Sequence, residues 1–132
     1  MAGPLFYHHQ EYIMATYQEP IRDYESLLSE GEGSISREAV TLAEGAGTLS
    51  AGSVLGTVTA SGRFAAYDPE ADDGTETAIA VLMQTASAGQ QATAIVRLAE
   101  VKKDALLWAV SLDAGQKATA YAELAQNFVL AR

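Results

Sequence analysis

Val40-Thr41-Leu42-Ala43-Glu44-Gly45-Ala46-Gly47-Thr48-Leu49-Ser50-Ala51-Gly52-Ser53-Val54-Leu55-Gly56-Thr57-Val58 is the stretch on which the fold class turns. Its aliphatic residues come singly or in pairs between Gly45, Gly47, Gly52 and Gly56, with Gly62 just beyond. Each strand it can form is therefore only a few residues long before a turn residue ends it. Such spacing suits a small barrel or sandwich rather than a helical bundle. Two longer strand candidates follow: Thr77 to Thr85, with Ile79, Val81 and Leu82, and Ala92 to Val101, with Ile95, Val96 and Leu98. Ala88-Gly89-Gln90-Gln91 between them reads as a hairpin connection. Farther on, Asp113-Ala114-Gly115-Gln116 has the layout of a capping box, an acceptor side chain followed three residues later by one able to reach back. Ala114, Ala118, Tyr121, Ala122, Ala125, Phe128 and Val129 then recur at helical intervals, with Lys117, Glu123 and Gln126 off the stripe, which predicts an amphipathic helix on the sheet.

Upstream the character changes. Leu5 to Ile35 has apolar residues without a sustained period, is broken by Pro20, and runs into Ser29-Glu30-Gly31-Glu32-Gly33-Ser34. It reads as an extended arm and linker, residues 1–35, before a body of residues 36–132. Tyr7, Tyr12, Tyr17 and Tyr24 all fall in it, and tyrosines in a segment without a core point to a binding surface, because each brings large contact area at low rotamer cost.

The chain has 132 residues, 48% of them hydrophobic and 19% charged, which fits one domain with one core. Its net charge of −9, with basic residues scattered from Arg22 to Arg132, disfavours phosphate backbones, so nucleic acid is not an expected partner. No apolar run approaches a membrane span, and the first residues lack the basic start and apolar stretch of a secretory signal, so the expectation is synthesis and retention in the cytoplasm. Cysteine is absent, which removes disulfides and thiolate metal sites.

Three motifs invite chemistry and fall short of it. Asp68-Pro69-Glu70-Ala71-Asp72-Asp73-Gly74 would need glycine at Asp73 and glutamate at Ile79 to be a calcium-binding EF loop, so it reads as a solvated turn. His8, His9 and Glu11 offer no pre-arranged metal site, since adjacent histidines on an arm do not converge. No Ser/His/Asp set and no glycine-rich phosphate loop can be assembled, so no catalytic residue, metal or cofactor is assigned. Leu107 and Trp108 read as core or subunit contact, because a single tryptophan after two leucines suits an apolar setting.

From Ser36 onward the chain resembles the lambda-like bacteriophage head decoration proteins. The resemblance is carried by Ser36-Arg37-Glu38-Ala39-Val40-Thr41-Leu42, Gly52-Ser53-Val54-Leu55-Gly56-Thr57-Val58-Thr59, Tyr67-Asp68-Pro69 with Asp73-Gly74, Ala78-Ile79-Ala80-Val81-Leu82, Leu107-Trp108 and the helix from Asp113, in that order. Thr16-Tyr17-Gln18 with Pro20 is similar to the family's arm. The resemblance implies an α+β, mainly β body of β-tulip or β-clip kind, a homotrimer on the outside of the virion at local threefold positions, and an arm that orders on the shell with the major capsid protein as partner. On that reading Ile13, Tyr17, Pro20, Ile21, Tyr24, Leu27 and Leu28 are the candidate capsid-binding residues, and Leu107 and Trp108 the trimer or core pair. The competing expectation is a carbohydrate- or cell-surface-binding module on a virion, which needs an exposed aromatic platform on the body.

Overall fold

A computed structural model describes residues 22–132. Ile13, Tyr17, Pro20 and Ile21, with His8, His9 and Glu11, lie outside the described residues. The order of elements is β1 (Leu27–Glu30), β2 (Arg37–Thr41), β3 (Thr48–Leu49), β4 (Val54–Thr57), β5 (Phe64–Ala66), β6 (Ala80–Leu82), β7 (Ala86–Ser87), β8 (Gln91–Ile95), β9 (Ala99–Val101), a 3-10 turn (Lys103–Ala105), α1 (Ala114–Ala125) and β10 (Val129–Ala131). The fold is α+β and mainly β, as the glycine spacing predicts, with strands of two to five residues. The sheets stack as a sandwich and do not close into a barrel among the described residues.

The middle layer is a five-stranded antiparallel sheet in the order β2-β8-β6-β4-β5. Its central strands β4 and β6 are buried on both faces, and the alternation of side chains across the pleat sends neighbours to opposite cores. Val54, Val81 and Ile95 point into one cluster with Tyr67, Met83, Val101, Leu124 and Val129, while Leu55, Ala80, Leu82 and Ala94 point into a second with Val40, Leu42 and Ala86. This double burial is why the sequence shows near-continuous apolar runs here rather than a two-residue alternation. The first cluster is covered by α1 and by a three-stranded sheet, β1-β9-β10, and the second by the two-stranded ribbon β3-β7.

Close backbone approach explains two glycines. A Cβ on Gly56 would lie 2.7 Å from Thr75 Cα and 2.8 Å from the Thr77 carbonyl oxygen, so β4 passes the 75–77 segment with no room for a side chain. Gly74 has φ +110 and abuts Thr57 and Thr59. It closes the acidic turn, in which Asp68 Oδ1 accepts from Glu70 N at 2.9 Å and Asp73 Oδ1 accepts from Thr75 Oγ1 at 2.6 Å and from Thr75 N at 3.1 Å. These bonds hold the Asp73 carboxyl below its ordinary value, because they favour the charged form. The run is a hydrogen-bonded turn, as its Pro and Gly positions predict.

Three expectations need correction. The Ala92–Val101 run is not one strand: β8 ends at Ile95 and β9 begins at Ala99 in a different sheet, with Leu98 between them at φ 51. The Thr77–Thr85 candidate contracts to β6, and the 88–91 turn joins β7 to β8, which belong to different sheets. Helix α1 starts where expected, with Asp113 Oδ1 accepting from Gln116 N at 2.8 Å and Gln116 Oε1 accepting from Asp113 N at 3.1 Å. Its buried face, however, is Ala120 and Leu124, while Ala114, Ala118 and Ala122 are exposed. Alanines on every side leave the stripe ambiguous in sequence, and the one large aliphatic side chain, Leu124, decides which face turns inward. Phe128 lies beyond the helix and is exposed, and Val129 belongs to β10.

Candidate interaction surface

The segment expected to be linker contributes a strand to the body. β1 pairs antiparallel with β9, Leu27 opposite Val101 and Glu30 opposite Ala99, and an irregularity between Leu27 and Ser29 shifts the register. Leu27 is half-buried against the first core cluster, whereas Leu28 is 51% exposed. Tyr24 packs on the same cluster, its N–H donates to the Met83 carbonyl at 2.8 Å, and Arg37 stacks 4.7 Å over its ring. Arg37 in turn makes a two-pronged ion pair with Glu30, Nε to Oε1 at 2.8 Å and Nη2 to Oε2 at 2.7 Å, which keeps the Glu30 carboxyl below its ordinary range. Of the candidate capsid-binding residues within the described chain, Tyr24 and Leu27 thus contribute to packing and Leu28 faces outward.

The junction after β1 is held by one hydroxyl. Ser36 is fully buried, donates through Oγ to the Leu98 carbonyl at 2.8 Å and accepts from Gly31 N at 2.8 Å. Gly31 N also reaches the Leu98 carbonyl at 3.0 Å. The buried hydroxyl thus reinforces a direct backbone bond, and its own donor and acceptor are both satisfied.

Trp108 packs against the first core, and Leu107 beside it forms a bridge with Ser53. Both are half-buried, and the fully buried neighbour is Leu106. Trp108 is sandwiched edge-on between Tyr67, at 6.1 Å between ring centroids, and Tyr121, at 5.9 Å, while Lys103 lies 4.8 Å over the Tyr121 ring. Tyr67 is 2% exposed, and burial, aided by Glu123 and Asp68, pushes its phenol above the ordinary tyrosine value.

A surface that sequence reasoning missed lies on the three-stranded sheet. Leu98, Phe128 and Leu130 line a shallow groove of about 300 Å³ with Ser29, Gly31 and Glu100. Phe128 is 66% exposed, Leu98 42% and Leu130 39%, and Ile35, 51% exposed, lies against Gly31. Nothing local in the sequence marks these residues, because each reads as an ordinary core aliphatic or aromatic until the sheet is assembled. Among the described residues no group of three or more His, Asp or Glu side chains is placed to hold a metal ion, and no helix is long and apolar enough to cross a membrane.

Part-exposed apolar side chains gathered on one sheet are the kind of surface through which a protein makes contacts. The chain belongs to the family of the bacteriophage lambda head decoration protein D, whose model matches residues 16–129. No curated protein matches it significantly by sequence. The match takes in β1 and the sequence upstream of it from residue 16, which includes Thr16-Tyr17-Gln18 and Pro20, as well as the stretch from Ser36 that carries most of the resemblance.

Proposed function

We propose that this chain decorates and stabilises a phage head, binding the outer surface of the expanded shell as trimers at local threefold positions, with the major capsid protein as its partner. The observation that carries the reading is the family match over residues 16–129. The fold supports it: short strands and one helix form a small rigid body, and the net charge of −9 keeps such a protein soluble at the concentrations that coating a shell demands. The arm upstream, with Ile13, Tyr17, Pro20 and Ile21, attaches to the shell, and Leu28 extends that surface onto the body. Three arms on one trimer gain by avidity, since the first to dock raises the effective concentration of the others. The protein acts as a cement, not as a catalyst, and needs no cofactor.

A carbohydrate-binding reading requires an aromatic face open to a sugar ring. Tyr67, Trp108 and Tyr121 instead stack edge-on against one another, with Tyr67 buried, which favours a packing role. Mixing the purified protein with undecorated heads tests the proposal: saturable binding that raises the resistance of the heads to heat or chelators is expected. Heads that take up no protein at micromolar concentration would reject it.

A further inference from the structure

We infer that Tyr24 is a positioning residue for attachment to the shell: it fixes the point and direction in which the chain upstream of Arg22 leaves the body. The inference rests on the decoration reading, in which that upstream chain docks, and deepens it by naming the side chain that aims it.

The first observation is where the chain turns. β1 begins at Leu27, and just before it Lys102 N donates to the Ser26 carbonyl at 2.7 Å. Upstream of that bond the chain folds into a turn: Leu27 N donates to the Tyr24 carbonyl and Glu25 N to the Arg22 carbonyl, both at 3.1 Å, and the Glu25 carboxylate accepts from Arg22 N at 3.0 Å. Tyr24 has φ 63, a left-handed backbone that bulky residues rarely adopt. This one residue takes the chain off the line of β1.

The second observation is independent and concerns the side chain. Glycine or asparagine would serve a left-handed turn better, so the tyrosine is there for its ring. The ring packs on the first core, Tyr24 N donates to the carbonyl of the buried Met83 at 2.8 Å, and the Arg37 guanidinium lies 4.7 Å over the ring. Arg37 is itself held by both carboxylate oxygens of Glu30, at 2.8 and 2.7 Å. The end of β1, the start of β2 and the chain just after β6 thus converge on one residue. Ser26 adds no such hold, since its buried hydroxyl has no hydrogen-bond partner among the described residues. Gripped by the core on one side and a cation on the other, the half-buried ring serves docking by aiming the chain and not by touching the shell.

A fixed exit matters for binding in two ways. It narrows the set of conformations that the upstream chain gives up on docking, and it sets the geometry between the docking segments of neighbouring copies, on which avidity depends. Removing the ring while leaving a backbone able to keep φ 63 turns the exit into a swivel. Affinity then falls although no residue of the docking segment has changed.

Two measurements test this. The chain has no cysteine, so Asp23→Cys, at an exposed position beside Tyr24, takes a single nitroxide per chain, and its spectrum in the free protein reads the mobility of the exit. An immobilised spectrum is expected, unchanged by Tyr24→Phe, which keeps the ring, and sharpened by Tyr24→Gly and by Arg37→Gln. An exit already mobile in the wild type, or unmoved by Tyr24→Gly, overturns the inference. Titration of undecorated heads with the unlabelled variants, well below their melting temperatures, reads the consequence: Tyr24→Gly should raise the dissociation constant about tenfold or more, and Tyr24→Phe should bind like the wild type. Should Tyr24→Gly fail to fold, Arg37→Gln carries the same expectation. Glu123→Ala, which weakens the body at α1, should bind like the wild type. An equal loss in that variant would show destabilisation alone at work, and full affinity of Tyr24→Gly would leave Tyr24 no part in attachment; either overturns the inference with decoration intact. Should the wild type itself not bind heads, the decoration reading is what fails, and the nitroxide spectrum then decides whether Tyr24 sets the exit.

Discussion

Glu123 on α1 accepts a hydrogen bond through Oε1 from the backbone N–H of Ala78 at 2.9 Å, and Ala78 is fully buried. A helix side chain therefore completes the hydrogen bonding of the chain as it enters β6, and so ties α1 to the middle sheet. Removing it strands a buried donor. Glu123→Ala is expected to lower stability by about 1–3 kcal/mol, whereas Glu123→Gln, which keeps the acceptor, should lose clearly less. Denaturant midpoints of the two variants check this, and equal losses would show that the bond does not matter.

Trp108 joins Tyr67 and Tyr121 across the layer boundary, so its loss opens the edge of the first core. Because the indole is half-buried, Trp108→Ala should cost roughly 2–4 kcal/mol, below the largest values seen for buried aromatics, and Trp108→Phe appreciably less. Thermal melts with tyrosine fluorescence as a second probe measure it; a variant melting like the wild type would rule out a packing role.

The Glu30–Arg37 pair carries a pH signature. The arginine holds the Glu30 carboxyl below its ordinary value of 4.5, so the pair's contribution is fully present above that value and disappears as pH falls through the lower folded value. Both side chains are partly exposed, at 21% and 37%, and solvent screening limits the gain to about 1 kcal/mol or less. The wild type should melt above Glu30→Gln at neutral pH and converge with it as acidification below 4.5 protonates Glu30 in the fold. A gap that is constant from pH 7 to 3 contradicts the assignment.

Two truncations separate arm from body. Deleting residues 1–21 removes nothing from the ladder of β1 and β9, and a folded body with impaired attachment to heads is expected. Deleting residues 1–34 also removes β1, leaves one side of β9 unpaired and takes Gly31 from the Ser36 hydroxyl, so this body should be destabilised by several kcal/mol. Circular dichroism melts of both fragments check the boundary. Equal stability would return residues 22–34 to the arm.

How much of this was legible in the sequence follows the range of the interactions. The Asp113–Gln116 cap, the acidic turn closed by Gly74 and the short strands between glycines are decided within four or five residues, and they are where sequence reading places them. The buried face of α1 is not. With alanine at Ala114, Ala118, Ala120, Ala122 and Ala125 the helix has no decisive stripe, and the choice of Ala120 and Leu124 is made by the sheet beneath, with Glu123 drawn inward by Ala78.

The break in the Ala92–Val101 run shows the same limit more sharply. By propensity Ile95-Val96-Arg97-Leu98 continues a strand, but Val96 N donates to the Ser36 carbonyl and the Leu98 carbonyl is captured by Gly31 and Ser36, partners some sixty residues away. Those bonds turn the chain out of one sheet and into another, create the left-handed Leu98 and bring it beside Phe128 and Leu130. By itself, then, the sequence determined the fold class, the turns and the helix start, because these depend on neighbours along the chain. Only the tertiary structure decided that Leu27–Glu30 joins the body, which helix face is buried and where the apolar groove lies, because each depends on backbone groups that meet only once the layers have packed.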